Sequence, residues 1–490
     1  MNQNNNSRPF YFYNVFWGEV HRQEFLRLCI ASLLAPKNFP SLAPNPQNRY
    51  LIATTKVDWV AMQEDPLFLE LKKYIRTQFI EMPRDEKLRI NNPLLYMSVG
   101  HKIMVEIMYR EKAWGIQTTP DSIFNDGFVS YIQDQVKAGK MLVLCPVSRF
   151  EKEGVNAALE AGGWRDKKSL TLPSRDAVKI ALKNMHSECL AANYECDYFW
   201  ISPVYTWWEV PEEEGVVMHS MSWSPILMPY FALNEHSSGS LDNWTIDGNY
   251  VHENFNQYKS KIAVVDDSDD AFILSVTPKE NSQVPLTKNF TLNLPFSNVI
   301  KCGLMRRLYF DSIIDPLKRE IYLRPIKWHS RSIKEKKIWP KKISEVDKII
   351  SFAIGEPPKE TVKQMGPEVF HRLAFVRRLS TIDGESVNEH KYFINALLVS
   401  LSRRSRLVSK VYYHKFLWKW EKVYIDVPYA IIKLILSIWA SKSVLPSILA
   451  KLDNILALSA VFTFAISSKE NNCNLPSAFS ANTPLSDFLI

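Results

Sequence analysis

Apolar positions along the chain switch between two periods. "PFYFYNVFWG" is a nearly continuous apolar run of strand length, and "EVHRQEFLRLCIASLLA" after it places Phe25, Leu26, Cys29, Ile30, Leu33 and Leu34 at helical spacing. The prolines and asparagines of "PKNFPSLAPNPQN" break that pattern, and "RYLIATT" reads as a second strand. "WVAMQEDPLFLELKKYI" is helical, "TQFIEM" extended, "PLLYMSVGHKIMVEIMYREKA" helical, and "WGIQTTPD" a fourth strand closed by a turn. "FVSYIQDQVKAGK" and "MLVLCPVSRF" continue as helix and strand, and "SRDAVKIALKNMHSE" sets Ala177, Ile180, Ala181 and Met185 on one helical side. Strands alternating with helices predict a sheet of parallel strands joined by crossover helices, an α/β fold.

From about Asp197 the texture turns aromatic and short-stranded, in "DYFWISPVYTWWEVPEEEGVVMHSMSWSPILM", which places an internal seam near 197. No Gly/Ser-rich linker separates the two parts. Further on, "KIAVVDDSDDAFILSV" reads as two short strands around an acidic bend that crowds Asp266, Asp267, Asp269 and Asp270. Side chains at i and i+2 of an extended backbone share a face, so Asp267 and Asp269 point together. The bend is either a solvated hairpin tip or a metal site. "RSIKEKKIWPKKISE" marks a second boundary, dividing a domain over 1–330 from a mostly α-helical C-terminal region over 331–490.

A length of 490 residues with 46% hydrophobic and 23% charged content fits a folded chain of two or three domains. Charge changes the picture more than composition does. Residues 331–490 carry 24 Lys and Arg against 14 Asp and Glu, whereas the first 330 residues hold 36 against 38. This basic tail points to an anionic surface as its partner. It also contains "YAIIKLILSIWA" and "NILALSAVFTFAISS", apolar segments too short for a membrane span but suited to an interfacial or buried helix. Six cysteines without CxxC spacing indicate neither a zinc ribbon nor a disulfide framework, and the start has no secretory pattern. The expectation is a cytoplasmic chain, peripheral on the inner face of a membrane if the tail binds there. Without a Walker loop, GxGxxG or G-x-S-x-G, the kinase, dehydrogenase and hydrolase readings lose their main supports.

The succession "YFYNVFWG", "FLRLCIASLLAPKNFPSL" and "YLIATT" resembles nucleotide-sugar glycosyltransferases of the GT-A fold, and within them a poorly characterised bacterial group. The shared run is Ser32, Leu33, Leu34, Pro36, Asn38, Pro40 and Leu42; "TTPDSIFNDGFVSYI", "WTIDGNYVHENF" and "IAVVDDSDDAFILSVTP" resemble the group's later segments. The resemblance spans about residues 9–280 and implies a mixed sheet flanked by helices, a nucleotide-sugar donor, a glycan or lipid-linked acceptor, and a divalent cation, Mn2+ or Mg2+. It implies no nucleic-acid partner.

A departing diphosphate needs its charge neutralised, which a carboxylate-held cation does. The resemblance makes Asp121 and Asp126 metal candidates, although "PDSIFND" lacks the group's Asp-x-Asp, which Asp267-Ser268-Asp269 does supply; Asp121 is otherwise a turn or cap residue. His219 in "GVVMHSMSW" resembles the late histidine ligand of such enzymes, or is a structural strand histidine. Asp247 is either a turn aspartate or the base that deprotonates the acceptor. Thr54 and Thr55 end the second strand, where open α/β sheets gather ligands, and either contact a nucleobase or simply terminate the strand; Arg149 and Arg175 neutralise phosphate or sit on the surface. The alternative is a non-catalytic protein that binds a membrane or partner and retains the fold.

Overall fold

The computed structural model describes residues 7–196, 204–210, 213–242, 245–246, 248–281, 301, 305, 321–334 and 336–354. Asp247 and both apolar tail segments lie outside the described residues. The strands of the first half are β1 (Phe10–Val15), β2 (Arg49–Thr54), β3 (Arg76–Glu81), β4 (Trp114–Gln117), β5 (Ser122–Phe124), β6 (Leu142–Pro146) and β7 (Arg149–Glu151). Those that follow are β8 (Tyr205–Val210), β9 (Gly215–Ser220), β10 (Trp223–Pro229), β11 (Ile262–Val264), β12 (Ile273–Thr277) and β13 (Ile326–His329).

The protein is α/β, with a mixed seven-stranded sheet in the order β11-β6-β10-β4-β1-β2-β3 flanked by helices. Strand β10 runs antiparallel between β4 and β6, and every other pairing in the sheet is parallel. Its Pro225 has no N–H for the ladder, and the register shifts between Pro225 and Leu227, the irregularity at which a sheet tolerates proline. Both faces of β1 are buried: Phe10, Phe12 and Phe16 join one core, and Tyr11, Tyr13 and Val15 join the other. That double burial is why the strand reads as a continuous apolar run rather than an alternating one.

Helix Pro93–Arg110 covers the second core. Asn92 caps it by accepting from the Leu95 N–H at 3.0 Å, and Pro93 opens it where no N–H is needed. Gly100 lets it approach the sheet: a Cβ there would lie 2.9 Å from Met82 Sδ, 3.0 Å from Val15 and 3.1 Å from Ala53. On the other face, helix Glu19–Glu24 widens into a π-helical turn over Phe25–Ile30 before closing at Ala31–Leu33. The wider turn buries Leu28 beside the predicted Phe25, Leu26, Cys29 and Ile30.

Two three-stranded sheets complete the described fold, β5-β12-β7 and β13-β9-β8. Helix Ile338–Ile354 packs on β8 and β9, with Trp339, Val346 and Ile350 buried. The expected hairpin around the acidic bend is absent from these pairings. β11 joins the large sheet alongside β6, while β12 lies between β5 and β7. The bend itself pairs with β13, through Lys327 N–H to Asp266 O at 2.8 Å and Ser268 N–H to Lys327 O at 2.9 Å. Among the described residues no helix is long and apolar enough to cross a membrane.

Candidate functional site

The strand order reverses at β1, with β2 on one side and β4 on the other. In open α/β sheets the carboxyl ends of strands flanking such a reversal form a crevice for ligands. Here those ends deliver Thr54 and Thr55 after β2 and Thr118 to Asp121 after β4. The Thr118 hydroxyl donates to Tyr13 O at 2.9 Å and lies 3.1 Å from Asn14 Nδ2 and 2.8 Å from the Tyr50 hydroxyl, which fills its one donor and two acceptor positions. By contrast Asn14 Oδ1, Thr54 Oγ1 and Gln117 Oε1 are buried at this edge with no hydrogen-bond partner. Thr55 is committed to structure: it caps helix Lys56–Met62 and donates to Asp58 Oδ2 at 2.7 Å. Asp58 also accepts from Gly18 N–H at 2.8 Å and pairs with Arg22, tying the β1 and β2 exits together. Gly18 has φ +84°, a conformation open to glycine at low cost.

Asp121 is held by β12. Its carbonyl accepts from Val276 N–H at 3.0 Å and its carboxylate from Ser275 Oγ at 3.2 Å. Among the described residues it makes no ion pair, yet its charge reaches the neighbouring groups. Burial pushes the Cys29 thiol up to about 12, and the Asp121 charge acts in the same direction. Asp126 serves differently: its carboxylate accepts from Lys37 N–H at 2.8 Å and its own N–H donates to Leu172 O, so it pins the loop after the first helix. Arg149 lies opposite Ser275 in the β7–β12 register and reaches Thr277 Oγ1 at 3.5 Å and Glu188 at 3.9 Å.

A charged triplet stands over the same edge. His21 Nδ1 is 2.9 Å from Glu24 Oε2, and Lys152 Nζ, 128 residues away, is 2.6 Å from Glu24 Oε1. Burial alone would raise the Glu24 carboxyl, but the hydrogen bonds from His21 and Lys152 outweigh it and hold the group below its ordinary value. The Glu24 hydrogen bond in turn holds His21 above its ordinary value against partial burial, with the charge of Asp121 adding to it and that of Lys152 opposing.

The acidic bend forms a second polar centre. Asp267 Oδ1 is 2.8 Å from His329 Nε2 and accepts from Asp269 N–H at 3.0 Å, while Oδ2 pairs with Lys327 at 2.9 Å. Arg175 makes a two-pronged pair with Asp269, at 2.9 and 2.8 Å. Asp267, Asp269 and His329 place ligand atoms within 4.8 Å of one another, so three potential metal donors gather here. Their negative charge is nevertheless already matched by Lys327 and Arg175. His219 is not among them: it is fully buried on β9 with Nδ1 2.7 Å from Tyr322 O and Nε2 unpartnered.

The structure thus gathers Thr54, Thr55 and Asp121 at one edge, and Arg175, Asp267 and Asp269 at another place. Sequence reading missed His21, Glu24, Lys152, Asp58 and His329. Three of these had a local signal: Asp58 stands three residues after a capping threonine, and His21 and Glu24 are an i,i+3 pair. Lys152 and His329 had none, since their partners are distant in sequence. No family model matches the chain, and no curated protein matches it.

Proposed function

We propose that the chain transfers a sugar from a nucleoside diphosphate to an acceptor hydroxyl at the carboxyl edge of the seven-stranded sheet. The observation that carries this reading is the reversal of strand order at β1, with buried unpartnered polar atoms of Asn14, Thr54 and Gln117 and the carboxylate of Asp121 at the strand ends. A GT-A type of fold rests on the sequence resemblance, and six parallel strands interrupted by the single antiparallel β10 support it. Arg149 and Lys152 bring positive charge to the same edge, where a departing diphosphate needs it.

The divalent cation implied by the resemblance is not fitted by the described residues at Asp121. No group of three donors gathers there, and Asp126 is engaged by Lys37 N–H. The same observation favours a second reading, a non-catalytic protein that keeps the fold.

Calorimetry with UDP and GDP, with and without manganese, tests the site. One nucleotide is expected to bind, and Asp121→Asn to weaken it about tenfold or more through loss of a charged hydrogen bond, with melting temperature unchanged. Absence of binding by either nucleotide overturns the assignment. Binding without release of nucleoside diphosphate from any UDP- or GDP-sugar selects the non-catalytic reading.

A further inference from the structure

Three features single out His21 from an ordinary surface i,i+3 pair. Its partner Glu24 is buried, with the side chain only 7% exposed, whereas His21 itself is 55% exposed. The second oxygen of Glu24 is clamped by Lys152 from a distant helix, so the carboxylate cannot swing away. Finally, Glu24 stands directly before the π-helical turn Phe25–Ile30, a backbone irregularity that often accompanies function. A carboxylate on Nδ1 fixes the tautomer that leaves Nε2 with a lone pair, and among the described residues nothing hydrogen-bonds that atom. Clamped carboxylate, oriented imidazole and open Nε2 are the parts of a general base.

We propose that His21 is the catalytic proton acceptor of this edge, oriented by Glu24 and Lys152 as positioning residues. The proposal rests on the glycosyl-transfer reading. Neutral His21 takes the proton of the acceptor hydroxyl onto Nε2 as that oxygen bonds to the anomeric carbon. The bond from that carbon to the diphosphate oxygen breaks, and its electron pair leaves with the nucleoside diphosphate. The imidazolium so formed is stabilised by Glu24 and afterwards gives its proton to water. The charged groups that act on the ring are Glu24 and Asp121, which favour the proton, and Lys152, which opposes it; the neighbouring Arg22 is taken up by Asp58 and Glu19.

The test uses the full chain and measures nucleoside diphosphate release from UDP-glucose, UDP-galactose, UDP-N-acetylglucosamine and GDP-mannose. His21→Ala is expected to lose about 10²- to 10⁴-fold in turnover, keep UDP or GDP affinity within twofold, and recover partly in added imidazole. Activity of the native chain rises with pH as the ring loses its proton. Glu24→Gln lets the proton go more readily, so the acid limb moves to lower pH. Because Glu24→Gln leaves Lys152 without its counter-charge, Glu24→Gln with Lys152→Met keeps the test open should the single variant unfold; it is expected to move the limb in the same direction. A His21→Ala chain with more than a tenth of native turnover overturns the role, as does a loss that imidazole does not repair together with an unmoved pH profile. A native chain that turns over none of these donors overturns the glycosyl-transfer reading and this proposal with it, whether or not it binds UDP or GDP. That failure appears before any variant is made and is distinct from the other two.

Discussion

Asp267 and Asp269 stand two residues apart in one bend and do unequal work. Burial would raise the Asp267 carboxyl, yet hydrogen bonds from His329, Lys327 and the Asp269 N–H hold it well below its ordinary value. A depressed carboxylate contributes stability above its unfolded-state value and loses it as pH falls through the folded one. Asp267→Asn is expected to cost about 2 kcal/mol at neutral pH, the worth of a hydrogen bond to a charged group. In urea melts the gap from the native chain should stay full above about pH 4 and narrow below it. Asp269→Asn removes only the exposed pair with Arg175, so the same melts should register less than about 1 kcal/mol. Equal losses from the two variants contradict this division. The four aspartates were visible as a cluster, but the groups that answer Asp267 and Asp269 were not. Arg175 lies 94 residues from Asp269 and His329 62 residues from Asp267, and no local pattern links such positions.

At the level of elements, alternation of strand and helix was legible because each element buries a face and so writes its period into the sequence. The π-helical turn at Phe25–Ile30 was not, since the same apolar stripe suits an α-helix. Likewise Gly100 reads as an ordinary weak point in a helix until its 3.1 Å clearance to Ala53 is seen. Gly100→Val must push helix Pro93–Arg110 off β1 and β2, and is expected to cost about 1–3 kcal/mol in equilibrium unfolding. An unchanged midpoint would mean that the helix is free to slide.

For the whole molecule the governing asymmetry is electrostatic. Residues 331–490 carry ten more positive than negative charges, while the first 330 carry two fewer. We propose that this basic, apolar-rich region, which lies largely outside the described residues, holds the chain against an anionic lipid surface and brings the candidate site to its acceptor. Each Lys or Arg near such a surface is worth about 1 kcal/mol and is screened within about 10 Å at 0.1 M salt. Full-length protein should therefore float with anionic vesicles at low salt, release as salt rises, and ignore neutral vesicles. Protein that stays at the bottom of the gradient at low salt identifies the tail as a packing or partner module instead.

Fold class, the strands β1 to β4 with their intervening helices, and the uneven charge all followed from the chain read alone, because hydrophobic period and net charge are additive properties of neighbouring residues. Strand order, the register shift after Pro225, the separation of β11 from β12 and the partners of Glu24 and Asp267 were decided by the tertiary structure. These depend on which distant surfaces meet, and a buried carboxylate takes whatever cation the packing delivers to it. His21 shows the difference most plainly: its pairing with Glu24 is local and readable, whereas the clamp of Lys152 and the nearness of Asp121 exist only once the fold has brought three separate segments to one edge.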